Sequence, residues 1–308
     1  VSVLYWIMRC CIFLCVTVVA CSLAASFVPG EIELVTIPTD GIDRYYFAYF
    51  PKSRQASLSL STIPVAMFLH DFDVSCFETM TDDATLQLKR SAEAFGVLLV
   101  APCGVVSKIG PTWNTGSPCS GIDNTTGAVD DEQFLLSVLN SVSSRANVNT
   151  SAVALIGYGF GGMMAQNMIC VAPEKFTLSG SVAGLVTLSP GNLDGLAQCT
   201  SNLNAVASRP RSILISGDQD GEVGWSGEPL CAYPTPVENF MQWGSRNGCT
   251  SLKENWNNGL LESRKYTGCL SNADVELIRW WGGDHAWPTL QNSNFSATHY
   301  FFSNFFGI

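Results

Sequence analysis

The stretch at residues 151–165, S-A-V-A-L-I-G-Y-G-F-G-G-M-M-A, constrains the fold of this chain more than any other. Its first part, 152–156, is a short apolar run with β-branched residues, which predicts a buried strand. Four glycines then crowd a turn, and residues 163–170 favour a helix because they contain helix formers and no breaker. A strand, a tight glycine turn and a helix in this order indicate an α/β fold.

Two motifs with different chemistry share this layout. Gly157, Gly159 and Gly162 match the dinucleotide fingerprint G-x-G-x-x-G literally. The nucleophile elbow G-x-S-x-G is matched except at its centre, where Gly159 stands in place of serine. The fingerprint belongs on the first strand–helix turn of its domain, with an acid about 20 residues later. This turn lies mid-chain and residues 179–189 contain no acid, so we expect no nucleotide cofactor.

Strands and helices alternate along the remainder of the chain. Alternating apolar and polar residues at 31–37 and 44–50 predict an antiparallel opening pair. Further strands are predicted at 65–69, 97–101, 179–183, 212–216 and 275–281, and helices at 81–95, 129–145, 237–246 and 297–305. The alternation predicts an α/β fold with a mostly parallel central sheet and helices on both faces. We expect residues 26–308 to form one domain.

The N-terminal segment is typical of a secretory signal. Arg9 is its only charge, and an apolar core at 10–20 is followed by small residues suited to cleavage. We therefore predict that residues 1–25 are a signal peptide. A signal anchor is the alternative, because residues 3–8 are apolar too.

Cysteines and sequons indicate the same extracellular compartment. Eight of the 12 cysteines lie beyond residue 25, and an even set after a secretory signal predicts disulfides, although the pairing stays open. Glycosylation is predicted at Asn124, Asn149 and Asn294. The formal net charge of −10 argues against a nucleic-acid partner. After signal cleavage we expect a secreted protein without stable membrane association.

Two polar residues follow predicted strands at the edge where parallel sheets bind ligands. Asp220 comes after the strand at 212–216, and His285 lies between the last strand and the last helix. Along the chain, position 159 is followed by an acid and then by a histidine, which is the order of the catalytic triad in α/β-hydrolases. The sequence therefore predicts Gly159, Asp220 and His285 as the catalytic positions.

The chain resembles the secreted polyhydroxybutyrate depolymerase and feruloyl esterase family, the first carbohydrate esterase group. The resemblance lies in L-H at 69–70, T-W-N-T-G at 112–116, V-D-D at 129–131, G-Y-G-F-G-G-M at 157–163, C-V-A-P-E-K-F at 170–176, N-G-C at 247–249, G-C at 268–269 and G-D-H-A-W-P at 283–288. It implies an α/β-hydrolase fold, the hydrolysis of hydroxyalkanoate or hydroxycinnamate esters, and a Cys249–Cys269 disulfide around Trp256.

The chain departs from this family at two positions of the catalytic machinery, with Gly159 in place of serine and Asp71 in place of glycine. Glycine cannot form an acyl-enzyme, although it tolerates the strained elbow backbone. The oxyanion amides would be those of Phe160 and of the loop that holds His70 and Asp71. A carboxylate there opposes the developing negative charge. We expect two independent lesions, unless Asp71 points to solvent.

These departures favour a secreted pseudo-esterase that retains a pocket for a small ester, hydroxycinnamate-linked or polysaccharide-linked ligand. Tyr158, Trp113 and Trp287 are the expected pocket residues, with core packing as the alternative role of these aromatics.

Two other hypotheses remain open at this point. An active ester hydrolase would use a water activated by His285, or a serine recruited from nearby loops. The candidate serines are Ser75, Ser117 and Ser120. A divalent-metal site is the lesser hypothesis. Its ligands would come from His70, Asp71, Asp73, Asp218, Asp220 and His285.

Overall fold

A computed structural model describes residues 26–39, 41–57, 61–108, 110–122, 129–185, 193–231 and 233–307. Its strands are β1 (Ile32–Thr39), β2 (Ile42–Tyr49), β3 (Ile63–Leu69), β4 (Leu98–Pro102), β5 (Val105–Ser107), β6 (Gly110–Thr112), β7 (Val148–Tyr158), β8 (Leu178–Val182), β9 (Arg211–Gly217), β10 (Ser251–Asn257), β11 (Leu261–Thr267) and β12 (Val275–Trp280). Its α-helices are α1 (Cys76–Thr81), α2 (Leu88–Phe95), α3 (Asp131–Arg145), α4 (Phe160–Val171), α5 (Leu193–Ala205), α6 (Pro236–Arg246) and α7 (Ala297–Phe306).

The described strands form a ten-stranded sheet in the order β1-β2-β4-β3-β7-β8-β9-β12-β11-β10, and β5 and β6 make a separate hairpin. The strands from β4 to β12 in this order run parallel to one another. The outer pairs, β1 with β2 and β10 with β11, are antiparallel. The predicted α/β fold with a mostly parallel sheet is confirmed.

Side chains that alternate along the central strands build a core on each face of the sheet. In β3, Met67 belongs to the core covered by α3, α4 and α6, whereas its neighbour Phe68 belongs to the core covered by α2 and α7. Because helices bury both faces, the carboxyl ends of the parallel strands form one exposed edge, where the loops after β3, β7, β9 and β12 meet.

Two expectations about individual elements were wrong. The helix predicted at 81–95 begins only at Leu88, as α2, and the separate helix α1 ends at Thr81. Between them the carboxylate of Asp82 accepts hydrogen bonds from the amides of Ala84 and Thr85 at 3.0 and 2.8 Å and turns the chain. The sequence pattern also did not indicate β10 and β11, which extend the sheet beyond β12: β11 pairs antiparallel with β12, and β10 pairs antiparallel with β11. Most of β10 is exposed and polar, so it carries no apolar alternation.

The eight cysteines beyond residue 25 are all paired. The disulfides are Cys76–Cys103, Cys119–Cys231, Cys170–Cys199 and Cys249–Cys269. The pairing of Cys249 with Cys269, which the family resemblance implied, is confirmed, and the loop that it closes contains Trp256.

The expected signal peptide at 1–25 and the sequon at Asn124 lie outside the described residues. Asn294 is exposed and Asn149 is half-buried, and their glycosylation stays a prediction. In the part of the chain that the structure describes, no helix combines the length and apolar character needed to span a membrane.

A buried ion pair supports the loop that follows β3. Arg44 of β2 lies 2.6 Å from Asp131 of α3, and both side chains are almost completely buried. The other oxygen of Asp131 accepts a hydrogen bond from the amide of Asn114 at 2.6 Å. The adjacent Trp113 donates its indole N–H to the backbone oxygen of His70 at 2.8 Å. The ion pair thus holds in place the segment that positions the residues after β3.

Asp131→Asn should lower the free energy of unfolding by about 3 kcal/mol, because it leaves the guanidinium of Arg44 buried without a counter-charge. Chemical denaturation measures this loss. Asp43→Asn is the matched control, since Asp43 is exposed beside Arg44. Equal losses in the two variants would show that the buried pair does not stabilise this loop.

Candidate functional site

The turn between β7 and α4 has the geometry of a nucleophile elbow. Gly159 lies at its apex with φ +51° and ψ −120°, a conformation that glycine adopts without steric cost. A Cβ at Gly157 would lie 2.2 Å from the backbone of Gly161, and one at Gly161 would lie 2.0 Å from the carbonyl oxygen of Leu69. Glycines at these positions therefore let α4 approach β7 and β3 closely.

Asp71, two residues after β3, turns its side chain into this site and not toward solvent. It is 4% exposed. Its Oδ1 accepts hydrogen bonds from the amides of Phe160 at 2.9 Å and of Phe72 at 2.7 Å. In an elbow hydrolase, the amide after the nucleophile and an amide from the loop after the third strand hold the oxyanion. The carboxylate of Asp71 therefore occupies the place of the oxyanion.

The same carboxylate also fills the space of a nucleophile side chain. A Cβ at Gly159 would lie 2.0 Å from Oδ1, 2.2 Å from Cγ and 2.3 Å from Oδ2 of Asp71. Contacts this short do not occur between non-bonded atoms, so Asp71 can hold this position only when residue 159 is glycine. The two departures from the family are coupled sterically, and the expectation of two independent lesions was wrong.

His285 lies between two carboxylates. Its Nδ1 is 2.9 Å from Oδ2 of Asp220, and its Nε2 is 2.9 Å from Oδ2 of Asp71. Burial by itself would lower the pKa of His285, but the hydrogen bonds and negative charges of Asp220 and Asp71 outweigh burial and raise it to about 10. Both ring nitrogens therefore carry protons at neutral pH, and His285 donates to both acids.

Two neighbours fix the position of His285. Tyr158, the last residue of β7, stacks on the imidazole with ring centroids 5.2 Å apart and donates its hydroxyl to the backbone oxygen of His285 at 2.8 Å. Asp220 is fixed in turn because its Oδ1 accepts from the amides of Glu222 and Val223 at 2.9 and 2.8 Å.

His70 is a buried structural residue beside this site. Its Nε2 accepts a hydrogen bond from the amide of Gly104 at 2.9 Å, and its Nδ1 donates to the backbone oxygen of Asp71 at 2.6 Å. Burial lowers the pKa of His70, which fits the neutral tautomer that these partners require. Neither ring nitrogen has a lone pair left for a ligand.

The six residues proposed as metal ligands do not form one cluster, although Asp71 and Asp220 both contact His285. Both nitrogens of His70 are engaged, and Asp218 pairs with Arg279 at 2.9 Å and accepts from the amide of Gly282 at 2.6 Å. Among the described residues, no group of three or more His, Cys, Asp and Glu side chains is arranged to hold a metal ion.

A cavity of about 180 Å³ opens beside the elbow. Its walls are mostly apolar, with charged groups at one side. They are formed by Asp71, Phe72, Cys119, Gly159, Phe160, Met163, Glu222, Val223, Cys231, Tyr233 and His285. The disulfide between Cys119 and Cys231 thus joins two loops that line the cavity.

The tryptophans expected in the pocket lie in the core instead. Trp113 is fully buried and Trp287 is 4% exposed, with its indole N–H donated to Thr298 at 3.1 Å. The aromatic residues of the cavity are Phe72, Phe160 and Tyr233. Phe72 follows Asp71 directly, and Tyr233 lies two residues after the disulfide cysteine Cys231, but neither position carries a motif that marks it in the sequence.

The serines considered as alternative nucleophiles have structural roles. Ser75 accepts from the amide of Phe77 as the N-cap of α1. Ser117 and Ser120 are buried, and Ser117 donates to the backbone oxygen of Cys231 at 3.1 Å. None of the three lines the cavity.

The chain is similar to a curated feruloyl esterase. Feruloyl esterase B of Piromyces equi is 24% identical in an alignment of 210 residues that covers 65% of this chain. The match spans only 36% of that protein's length. No family model matches the chain.

Solved structures show the fold. An acetyl xylan esterase from Aspergillus awamori superposes with a TM-score of 0.60 at 16% identity, over 90% of this chain and 99% of that one. A ferulic acid esterase from Anaeromyces mucronatus superposes with a TM-score of 0.58 at 15% identity, over 90% of this chain and 91% of that one. The α/β-hydrolase fold and the resemblance to feruloyl and other carbohydrate esterases are therefore confirmed.

Proposed function

We propose that this chain is a secreted esterase-like protein that has lost serine-dependent ester cleavage and keeps a pocket for ligand binding. The carboxylate of Asp71 is the observation that carries the proposal. It accepts from the amides of Phe160 and Phe72, contacts Nε2 of His285, and fills the space beside Gly159. In this proposal residues 26–308 form one domain after a cleaved signal, and the four disulfides support an extracellular setting.

Ester hydrolysis by this fold needs a nucleophile, a base and an oxyanion site, and each is compromised. Gly159 has no hydroxyl, and loss of the nucleophile costs about a millionfold in turnover in a related triad. Because Asp220 and Asp71 raise the pKa of His285 to about 10, its imidazole is protonated at neutral pH and is a poor base. An oxyanion would have to displace the carboxylate that already holds both amides.

The relatives suggest which ligands to offer first. One is called a feruloyl esterase and another an acetyl xylan esterase, so hydroxycinnamate and acetyl esters, free or linked to a polysaccharide, are the first candidates.

The secreted protein should not turn over methyl ferulate, 4-nitrophenyl acetate or acetylated xylan faster than its His285→Ala variant. The physical reason is that His285 is protonated and no nucleophile faces it. Product release measured by absorbance and chromatography checks this. Turnover that disappears in His285→Ala would refute the proposal, and a fluorophosphonate label on Ser75, Ser117 or Ser120 would identify a replacement nucleophile.

A further inference from the structure

We propose that the cavity beside the elbow binds a small organic cation of about one aromatic ring and excludes carboxylates. This inference rests on the proposed function, because it takes the site to bind and not to cleave. It concerns the charge of the ligand, which the names of the relatives do not specify.

The size and lining of the cavity fit one ring. Its volume is about 180 Å³, and an engineered apolar cavity of about 150 Å³ is known to hold benzene. Phe72 and Phe160 meet edge to face with centroids 6.2 Å apart, and Tyr233 adds a third ring. Aromatic faces attract cations as well as apolar groups.

The charges at one side of the cavity favour a cation. Asp71 and Glu222 line it together with His285, and Asp220 lies behind His285. The three carboxylates carry more negative charge than the one imidazolium of His285 can balance, so the site has an excess of negative charge. Glu222 has a side chain that is 55% exposed, with an oxygen 3.9 Å from Nε2 of His285, so it offers a carboxylate at the mouth of the cavity.

The donors that could hold an anion are already occupied. The amides of Phe160 and Phe72 donate to Oδ1 of Asp71, and Nε2 of His285 donates to Oδ2. An incoming carboxylate would meet the carboxylates of Asp71 and Glu222 without gaining these hydrogen bonds. The carboxylate of Asp71 therefore already occupies the anion position, and a ligand in the cavity meets apolar walls and the negative charges of Asp71 and Glu222.

Benzylamine, benzyl alcohol and benzoate test the proposal, because each carries one ring and they differ in charge at neutral pH. Binding to the intact native protein is followed by NMR of ¹³C-methyl methionine. Met163 lines the cavity, whereas Met241 on α6 is 54% exposed and serves as the internal control. We expect saturable shifts of Met163 alone, with benzylamine bound about tenfold more tightly than benzyl alcohol and benzoate weakest.

Three variants assign the selectivity to named carboxylates. Asp71→Asn should weaken benzylamine binding at least about tenfold and strengthen benzoate binding, and Glu222→Gln should weaken benzylamine binding about threefold. Glu254→Gln, exposed on β10 at the far edge of the sheet, is the matched control and should change nothing. If Asp71→Asn does not fold, Glu222→Gln still tests the claim because its side chain is exposed.

Benzoate bound as tightly as benzylamine, or no shift of Met163 with any of the three compounds, would overturn the inference. These ligands cannot be hydrolysed, so the result is separate from the esterase assay. Ester turnover by the same sample would refute the proposed function, whereas absence of benzylamine binding alone would refute only the cation site.

Discussion

The Gly159→Ser variant should show almost no esterase activity, whereas Gly159→Ser combined with Asp71→Gly should exceed it at least about a thousandfold in kcat/KM. In the single variant the new Cβ would lie 2.0–2.3 Å from the carboxylate atoms of Asp71, so this carboxylate must shift. It stays in the loop after β3, where its negative charge opposes the charge that develops on the oxyanion. The double variant vacates the position, frees the amides of Phe160 and Phe72, and removes one of the two acids that keep His285 protonated. Initial rates on 4-nitrophenyl acetate and methyl ferulate measure the difference.

Gly159→Ala combined with Asp71→Gly is the control for this experiment. It provides the same backbone and Cβ without a hydroxyl, and it should remain inactive. Full activity from Gly159→Ser alone would show that Asp71 swings aside easily and does not block the site.

The stability of the native protein should fall as the pH rises from 6.5 to about 10, on the order of 2–4 kcal/mol. The pKa of His285 is higher in the folded chain than in the unfolded chain, because both Asp220 and Asp71 hold the protonated ring. Its contribution is therefore complete below pH 6.5 and is lost as the pH passes about 10. Urea denaturation across this range measures it, and an NMR titration of the imidazole locates the pKa.

Two variants distinguish the contribution of His285 to the pH dependence of stability from the contributions of other groups that titrate at high pH. His285→Gln should lose most of this dependence, so the difference from the native protein isolates the imidazole. Asp71→Asn should lower the pKa of His285 toward its ordinary value by removing one acid. A native His285 that titrates near 6.5 would contradict the charge arrangement described above.

The elements of the site could be predicted because each is marked locally in the sequence. Gly159 lies in a glycine turn after an apolar run, and Asp220 and His285 follow strands in the order of a triad. The structure brings Asp220 and His285 to 2.9 Å, as the convergence of parallel strand ends requires.

The direction of the Asp71 side chain could not be predicted from the same pattern. Its rotamer depends on the missing Cβ of Gly159 and on the amide of Phe160, which is 89 residues away in sequence. The tryptophans illustrate the same limit, because whether an indole lines a pocket or fills a core depends on neighbours from distant elements. Trp113 and Trp287 both lie in the core, where their indole N–H groups donate to the backbone oxygen of His70 and to the hydroxyl of Thr298, respectively.

The close approach between positions 159 and 71 also makes these two residues a unit in any redesign of the site. The carboxylate of Asp71 can rest against His285 only while residue 159 has no β-carbon, because the two would share the same space. A side chain introduced at 159 therefore requires the carboxylate of Asp71 to move, so the two positions should be exchanged together.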